Sequence, residues 1–152
     1  MKILVLSDSH GRKEPMVRCV EREQPRHILF LGDGIRDAWA LQQQFPEIPL
    51  TAVAGNCDLL CSEPGERLME LAGRRILMMH GHTRQVKFST MAARYAAREA
   101  EAEILLFGHT HCPLVDYDGS LYTMNPGSIG YSGSYGVVTI QPDKVDCSVY
   151  RL

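Results

Sequence analysis

Aspartate, histidine and asparagine recur in short polar motifs along this chain, and these residue types bind divalent metals. The motifs are Asp8-Ser9-His10, Gly32-Asp33-Gly34, Gly55-Asn56, His80-Gly81-His82 and Gly108-His109-Thr110-His111. Five of the six histidines lie in them, and only His27 stands apart. Carboxylate, imidazole and amide oxygen suit Mn²⁺, Fe or Zn²⁺, and the lack of a thiolate set argues against a structural zinc–sulfur centre. Each motif alone has an ordinary reading. Gly-Asp-Gly and Gly-Asn are turn sequences, and Asp-Ser-His can precede a helix. Together, Asp8, His10, Asp33, Asn56, His80, His109 and His111 give seven donors, more than one tetrahedral ion needs. Two ions sharing a carboxylate fit better. A pair roughly 3.5–4 Å apart can bind both the attacking and the leaving oxygen of a phosphoryl displacement.

The elements that must position these donors are short. Residues 2–7, 27–31 and 50–54 are apolar runs of strand length, separated by helical patterns over 14–24 and from Ile35 to before Pro46. Residues 66–72 and 74–79 read as a hairpin turning near Gly73. Residues 87–101 read as an amphipathic helix with the stripe Phe88, Met91, Ala92, Tyr95, Ala96. A strand over 103–107 precedes the last histidine motif. Further strands follow over about 113–117, 120–124, 136–141 and 145–151, with a hairpin at Asp118-Gly119 and a loop over 127–136. Every donor motif thus follows a strand, and in open α/β sheets ligands bind at the carboxyl ends of strands.

Composition narrows the function classes. A chain of 152 residues is expected to form a single domain over 1–152. The net charge of −2 and pI near 6.3 give no broad basic surface, so a long nucleic acid is not the expected partner. No stretch approaches the roughly 18 apolar residues of a membrane span. The five cysteines are scattered, and Cys57/Cys61 lacks the second pair a structural zinc site needs. A reducing cytoplasm is the expected compartment.

The order Asp-x-His, Gly-Asp, Gly-Asn, His-Gly, Gly-His-x-His resembles the calcineurin-like metallophosphoesterases, and within them the small single-domain phosphodiesterases of bacteria and archaea. The likeness runs from residue 3 to about 151 and includes Asn125-Pro126-Gly127-Ser128. The resemblance implies an α/β fold, a four-layer α/β/β/α sandwich of two mixed sheets flanked by helices. It implies two divalent ions per chain, with Mn first and Fe, Ni or Zn as alternatives. Asp8, His10, Asp33 and His111 would hold one ion. Asp33, Asn56, His80 and His109 would hold the other. His82 would lie near the substrate or behind the ligands, and Asn125 and Ser128 on a supporting loop.

The implied activity is hydrolysis of a small phosphodiester, or of a phosphomonoester, by a hydroxide bridging the metals. Asn56 and His82 would be the catalytic and substrate-binding groups. Arg12 and Arg84, beside the motifs, are either solvated surface arginines or further candidates for phosphate contact. Many family members carry histidine directly after Gly-Asn; here Cys57 stands there, which removes the obvious general acid and leaves Cys57 either a packing or neutral residue or, if its thiol is placed and protonated, an acid. The subgroup's Pro-Arg pair is replaced by Tyr131-Ser132-Gly133. Two other readings remain: a non-catalytic interaction scaffold like the retromer subunit of this fold, and a nuclease. A homodimer or homotetramer is compatible with the family.

Overall fold

The structure, a computed structural model, describes residues 1–152. Its elements run β1 (Lys2–Leu6), α1 (Lys13–Glu23), β2 (His27–Phe30), α2 (Ile35–Gln44), β3 (Leu50–Ala52), β4 (Glu66–Leu71), β5 (Arg74–Met79), α3 (Met91–Glu99), β6 (Ile104–Phe107), β7 (Leu114–Tyr117), β8 (Tyr122–Asn125), α4 (Ile129–Ser132), β9 (Ser134–Ile140) and β10 (Val145–Arg151). One sheet has the order β10-β9-β1-β2-β3 and the other β4-β5-β6-β8-β7. In the first, β1, β2 and β3 are parallel while β9 is antiparallel to β1. In the second, β5, β6 and β8 are parallel and the two edge strands antiparallel.

The alternation of side chains along each strand builds the layers. Leu4 and Leu6 of β1 face α1 and α2, packing with Met16, Val20 and Leu41. Ile3 and Val5 point the other way and meet Ile76, Met78, Ile104 and Leu106 of the second sheet. On the far side of that sheet, Leu77, Met79, Leu105 and Phe107 pack under α3. Strands covered on both faces read as unbroken apolar runs, which is the pattern seen over 2–7 and 103–107. The result is helix, sheet, sheet, helix.

Two local expectations change. The helix expected over 87–101 spans Met91–Glu99, and its large apolar stripe points outward. Phe88, Met91 and Tyr95 are 89%, 76% and 64% exposed. Ala93 and Ala97 are the residues turned inward. The sheet surface beneath is already filled by bulky side chains, so only alanines let the helix backbone close onto it. The loop expected over 127–136 contains α4 and the start of β9. Ser128 caps α4, its Oγ accepting the Tyr131 N–H at 3.0 Å. No helix is long and apolar enough to cross a membrane.

Candidate metal centre

All five donor motifs emerge at one edge of the paired sheets, from the carboxyl ends of β1, β2, β5 and β6 and from the segment after β3. The loops are tied to each other. Asp8 N donates to Gly32 O at 2.9 Å, His10 N to Asp33 O at 3.1 Å, and Gly108 N to His80 O at 3.0 Å. Gly32 is needed at its crossing: φ is +97°, and a Cβ there would lie 2.6 Å from Gly55 N. Asp8, His10, Asp33, His109 and His111 all adopt left-handed backbone, with φ between 47° and 67°. Non-glycine residues in that region cost about 1–3 kcal/mol each and cluster where function holds them there.

The side chains converge in two groups, and a third, His10, Asp33 and Cys57, overlaps both. Asp8, His10 and His111 form the first. His111 Nε2 lies 3.1 Å from Asp8 Oδ1, and His10 Nε2 lies 3.4 Å from His111 Nε2. Asp33, His80 and His109 form the second. His80 Nε2 lies 3.1 Å from His109 Nδ1, 3.1 Å from Asn56 Oδ1 and 3.4 Å from Asp33 Oδ2. The same Asp33 Oδ2 is 4.0 Å from His10 Nε2, which puts it within reach of both groups.

His80 carries the electrostatic argument. Its Nδ1 donates to the Leu31 carbonyl at 2.7 Å, which fixes the ring and leaves Nε2 facing three lone-pair atoms. Such a cluster is favourable only with a positive charge at its centre. Burial alone would lower the His80 pKa, but hydrogen bonding to Asp33 and the charges of Asp8 and Asp33 outweigh it and raise it. Burial likewise opposes ionisation of Asp33, yet His80 and the Cys57 N–H hold its carboxyl below the ordinary range. His109 is pulled down to about 4 by burial and then by the His80 and Lys87 charges, so it is neutral and free to ligate.

The remaining candidates are placed as follows. His82 sits beside His80, ring centroids 5.4 Å apart, with a buried Nδ1 that has no partner. Burial and the His80 charge lower its pKa. Cys57 is exposed; its backbone N–H donates to Asp33 Oδ1 at 2.8 Å. Its thiol pKa is raised by burial of the sulfur and by the neighbouring Asp33, Asp58 and Asp8. Asn125 supports the last histidine motif, its Nδ2 donating to Gly108 O and Thr110 Oγ1 at 2.9 Å each. Ser128 Oγ donates to Asp8 O at 2.8 Å. Arg12 Nη1 donates to Gly130 O at 3.1 Å. Arg84 Nε and Nη2 donate to Glu66 at 2.6 and 2.9 Å.

Asp58 was not singled out as a site residue by its sequence position. Its Oδ1 accepts the N–H groups of Gly34 and Ile35 at 2.8 and 2.9 Å, and its Oδ2 those of Asp33 and Gly55 at 2.7 and 2.8 Å. One carboxylate therefore caps α2, whose own N-cap residue Gly34 supplies no side chain, and clamps two donor loops together. An open groove of about 400 Å³ runs along these loops, lined by His10, Asp33, Ile35, Arg36, Cys57 and Leu59 among others.

Known proteins resemble this chain in sequence and in fold. A family model described as the calcineurin-like phosphoesterase superfamily domain matches residues 1–143. The probable metallophosphoesterase YsnB of Bacillus subtilis is 30% identical over 156 aligned positions, covering 99% of this chain and 90% of the relative. The phosphodiesterase YfcE of Escherichia coli K12 is 26% identical, with 91% and 87% covered. Among solved structures, a predicted phosphoesterase from Streptococcus pneumoniae superposes with TM-score 0.78 at 25% identity, covering 98% and 97% of the two chains. Vps29 of Entamoeba histolytica, solved with Zn²⁺, gives 0.79 at 18% identity with 99% and 98% covered, a likeness of fold.

Proposed function

Because the chain belongs to the calcineurin-like phosphoesterase superfamily, we propose that it is a phosphoric ester hydrolase that uses two divalent metal ions to cleave a small phosphodiester. The observation that carries this reading is the crowding of His80 Nε2 against Asn56 Oδ1, His109 Nδ1 and Asp33 Oδ2, with Asp33 also turned toward His10. These atoms fit a cation, and in the metal-free protein a proton on His80 Nε2 serves in its place. Asp8, His10, Asp33 and His111 would hold one ion, and Asp33, Asn56, His80 and His109 the other. When bound, such ions acidify water and neutralise charge on a phosphoryl group. Mn²⁺ is the proposed metal, and Fe, Ni or Zn suit the same donors.

The chain's own residues do the rest. Asn56 orients a phosphoryl oxygen through its amide. His82, its pKa lowered by burial and the His80 charge, donates a hydrogen bond to the phosphoryl group. The protonated thiol of Cys57, beside Asp33, supplies a proton to the departing alkoxide. Arg12 keeps further N–H donors for the phosphate after bonding Gly130. A groove of about 400 Å³ suits a small molecule better than a polymer. All seven donor positions carry competent side chains, which favours turnover over a scaffold role. Five free cysteines suit a reducing cytoplasm.

The test is hydrolysis of bis(p-nitrophenyl) phosphate by protein stripped of metal and reloaded with Mn²⁺. Activity is expected only after reloading, and Asp33→Ala and His109→Ala are expected to abolish it. Full activity of either variant without metal would overturn the proposal.

A further inference from the structure

Tyr131 stands against two residues of the metal centre without being buried by them. Its ring centroid is 5.0 Å from that of His10 at 39° and 5.4 Å from that of His111 at 33°. The residue is 65% exposed. A tyrosine this open gains little from burial, and its neighbours are polar donors rather than core side chains. What it offers is a flat apolar face at the rim of the reaction centre.

The backbone that carries this face is held in place. Tyr131 lies on α4, whose N–H groups hang from the strand end that carries Asp8 and His10. Ile129 N donates to Ser7 O at 3.0 Å and Gly130 N to Asp8 O at 3.1 Å. Ser128 Oγ joins the same turn by donating to Asp8 O and accepting from Tyr131 N. At Gly130 a Cβ would collide with the Ser9 carbonyl, so this close docking requires glycine. The backbone beneath Tyr131 is therefore fixed relative to the metal donors, which leaves less to order when a substrate arrives.

Tyr131 does not line the groove that runs past Cys57 and Leu59. His10 lines that groove and also meets Tyr131, so the groove and the Tyr131 face adjoin the same donors. We infer that one ester arm of the substrate carries a flat aromatic ring, a nucleobase or a simple aryl group, that stacks on Tyr131. This rests on the phosphodiesterase reading above and narrows its substrate class. Stacking is tolerant of ring identity because every aromatic ring has a π-face, so Tyr131 selects flatness rather than a particular base.

The test reads binding and does not depend on turnover. Mn²⁺-loaded protein is titrated calorimetrically with benzylphosphonate and with cyclohexylmethylphosphonate, which share carbon count and charge but differ in flatness. Benzylphosphonate is expected to bind roughly tenfold more tightly, the scale of one ring stacked on one aromatic side chain. Tyr131→Phe is expected to keep that preference. Tyr131→Leu is expected to lose it, while its metal content and its affinity for cyclohexylmethylphosphonate stay at the level of the parent protein. Thymidine 5′-phosphate, titrated alongside, identifies the ring: tighter binding than benzylphosphonate that Tyr131→Leu removes assigns a nucleobase, and weaker binding assigns a simple aryl arm. Equal affinity for the two phosphonates in the parent protein would overturn the inference. So would a preference that survives in Tyr131→Leu, or loss of metal in that variant, which would make Tyr131 a prop for His10 and His111. If the phosphonates bind as expected but no diester is hydrolysed, the phosphodiesterase reading fails and the aromatic subsite stands.

Discussion

Asp58 accepts the backbone N–H of Asp33 at 2.7 Å while also holding Gly55 at 2.8 Å, so a carboxylate outside the donor set fixes the spacing of the Asp33 and Asn56 loops. Asp58→Ala leaves four N–H groups without their acceptor. The expected loss is about 2–4 kcal/mol of stability, on the scale of charged hydrogen bonds and a helix cap. Metal affinity is expected to fall roughly 10–100-fold, as when outer partners of metal ligands are removed. Urea unfolding and Mn²⁺ titration check both. Asp58→Asn keeps the shape and half of the acceptor capacity, so it should lie between the two. Unchanged metal affinity in Asp58→Ala would detach it from the centre.

The pair His80–Asp33, at 3.4 Å, sets a pH dependence. Burial works against the ion pair, but the mutual hydrogen bond and nearby charges prevail, so His80 is raised and Asp33 lowered in the metal-free protein. A raised His80 contributes stability that is complete below its ordinary value of 6.5 and is lost as pH climbs through the raised value. A lowered Asp33 contributes stability that is complete above 3.8 and is lost as pH falls toward its depressed value. The metal-free protein should therefore gain most from this pair between those two values. A metal held by His80, as proposed, would displace its proton. Its apparent affinity should rise with pH through the raised His80 range, with proton release on binding. Calorimetry in buffers of different ionisation enthalpy measures that release, and binding with no proton released would contradict the assignment.

Much of the architecture is legible because β1, β5 and β6 are buried on both faces and so appear as unbroken apolar runs. The donor motifs are legible for a related reason: polar residues directly after such runs have no core to join. What cannot be read along the chain is contact across it. Asp58 looks like one more acid in a turn, and only the meeting of the β2 and β3 loops shows it holding Asp33, Gly34, Ile35 and Gly55. Arg84 stands two residues from His82 in the chain, and only the structure shows Glu66 of β4 pairing with its guanidinium. The α3 stripe has correct helical spacing, yet periodicity does not say which face meets the sheet; the alanines do because they are small.

That inversion gives a stability test. Phe88→Ser and Tyr95→Ser should each change stability by no more than about 0.5 kcal/mol, as exposed positions do. Ala97→Leu, pressed toward Leu105 and Phe107, should cost about 1–3 kcal/mol. Thermal or urea unfolding decides, and the reverse order would mean that the stripe packs inward.

Cys57 is expected to matter only where the leaving group needs a proton. Cys57→Ala should slow cleavage of an alkyl phosphodiester about 100-fold, the lower scale of general acid catalysis, and leave p-nitrophenolate release nearly unchanged. Cys57→Ser should recover part of the loss. An equal fall on both substrates would assign Cys57 to packing around Asp33 instead.

The most direct test of a shared two-ion centre is the metal count per chain, measured by inductively coupled plasma mass spectrometry on Mn²⁺-reloaded protein and on its Asp33→Asn variant. Two ions per chain are expected in the parent protein, with both sites weakened together in the variant because one carboxylate serves both. A single ion per chain in the parent, or an Asp33→Asn variant that keeps two with unchanged affinity, would contradict it.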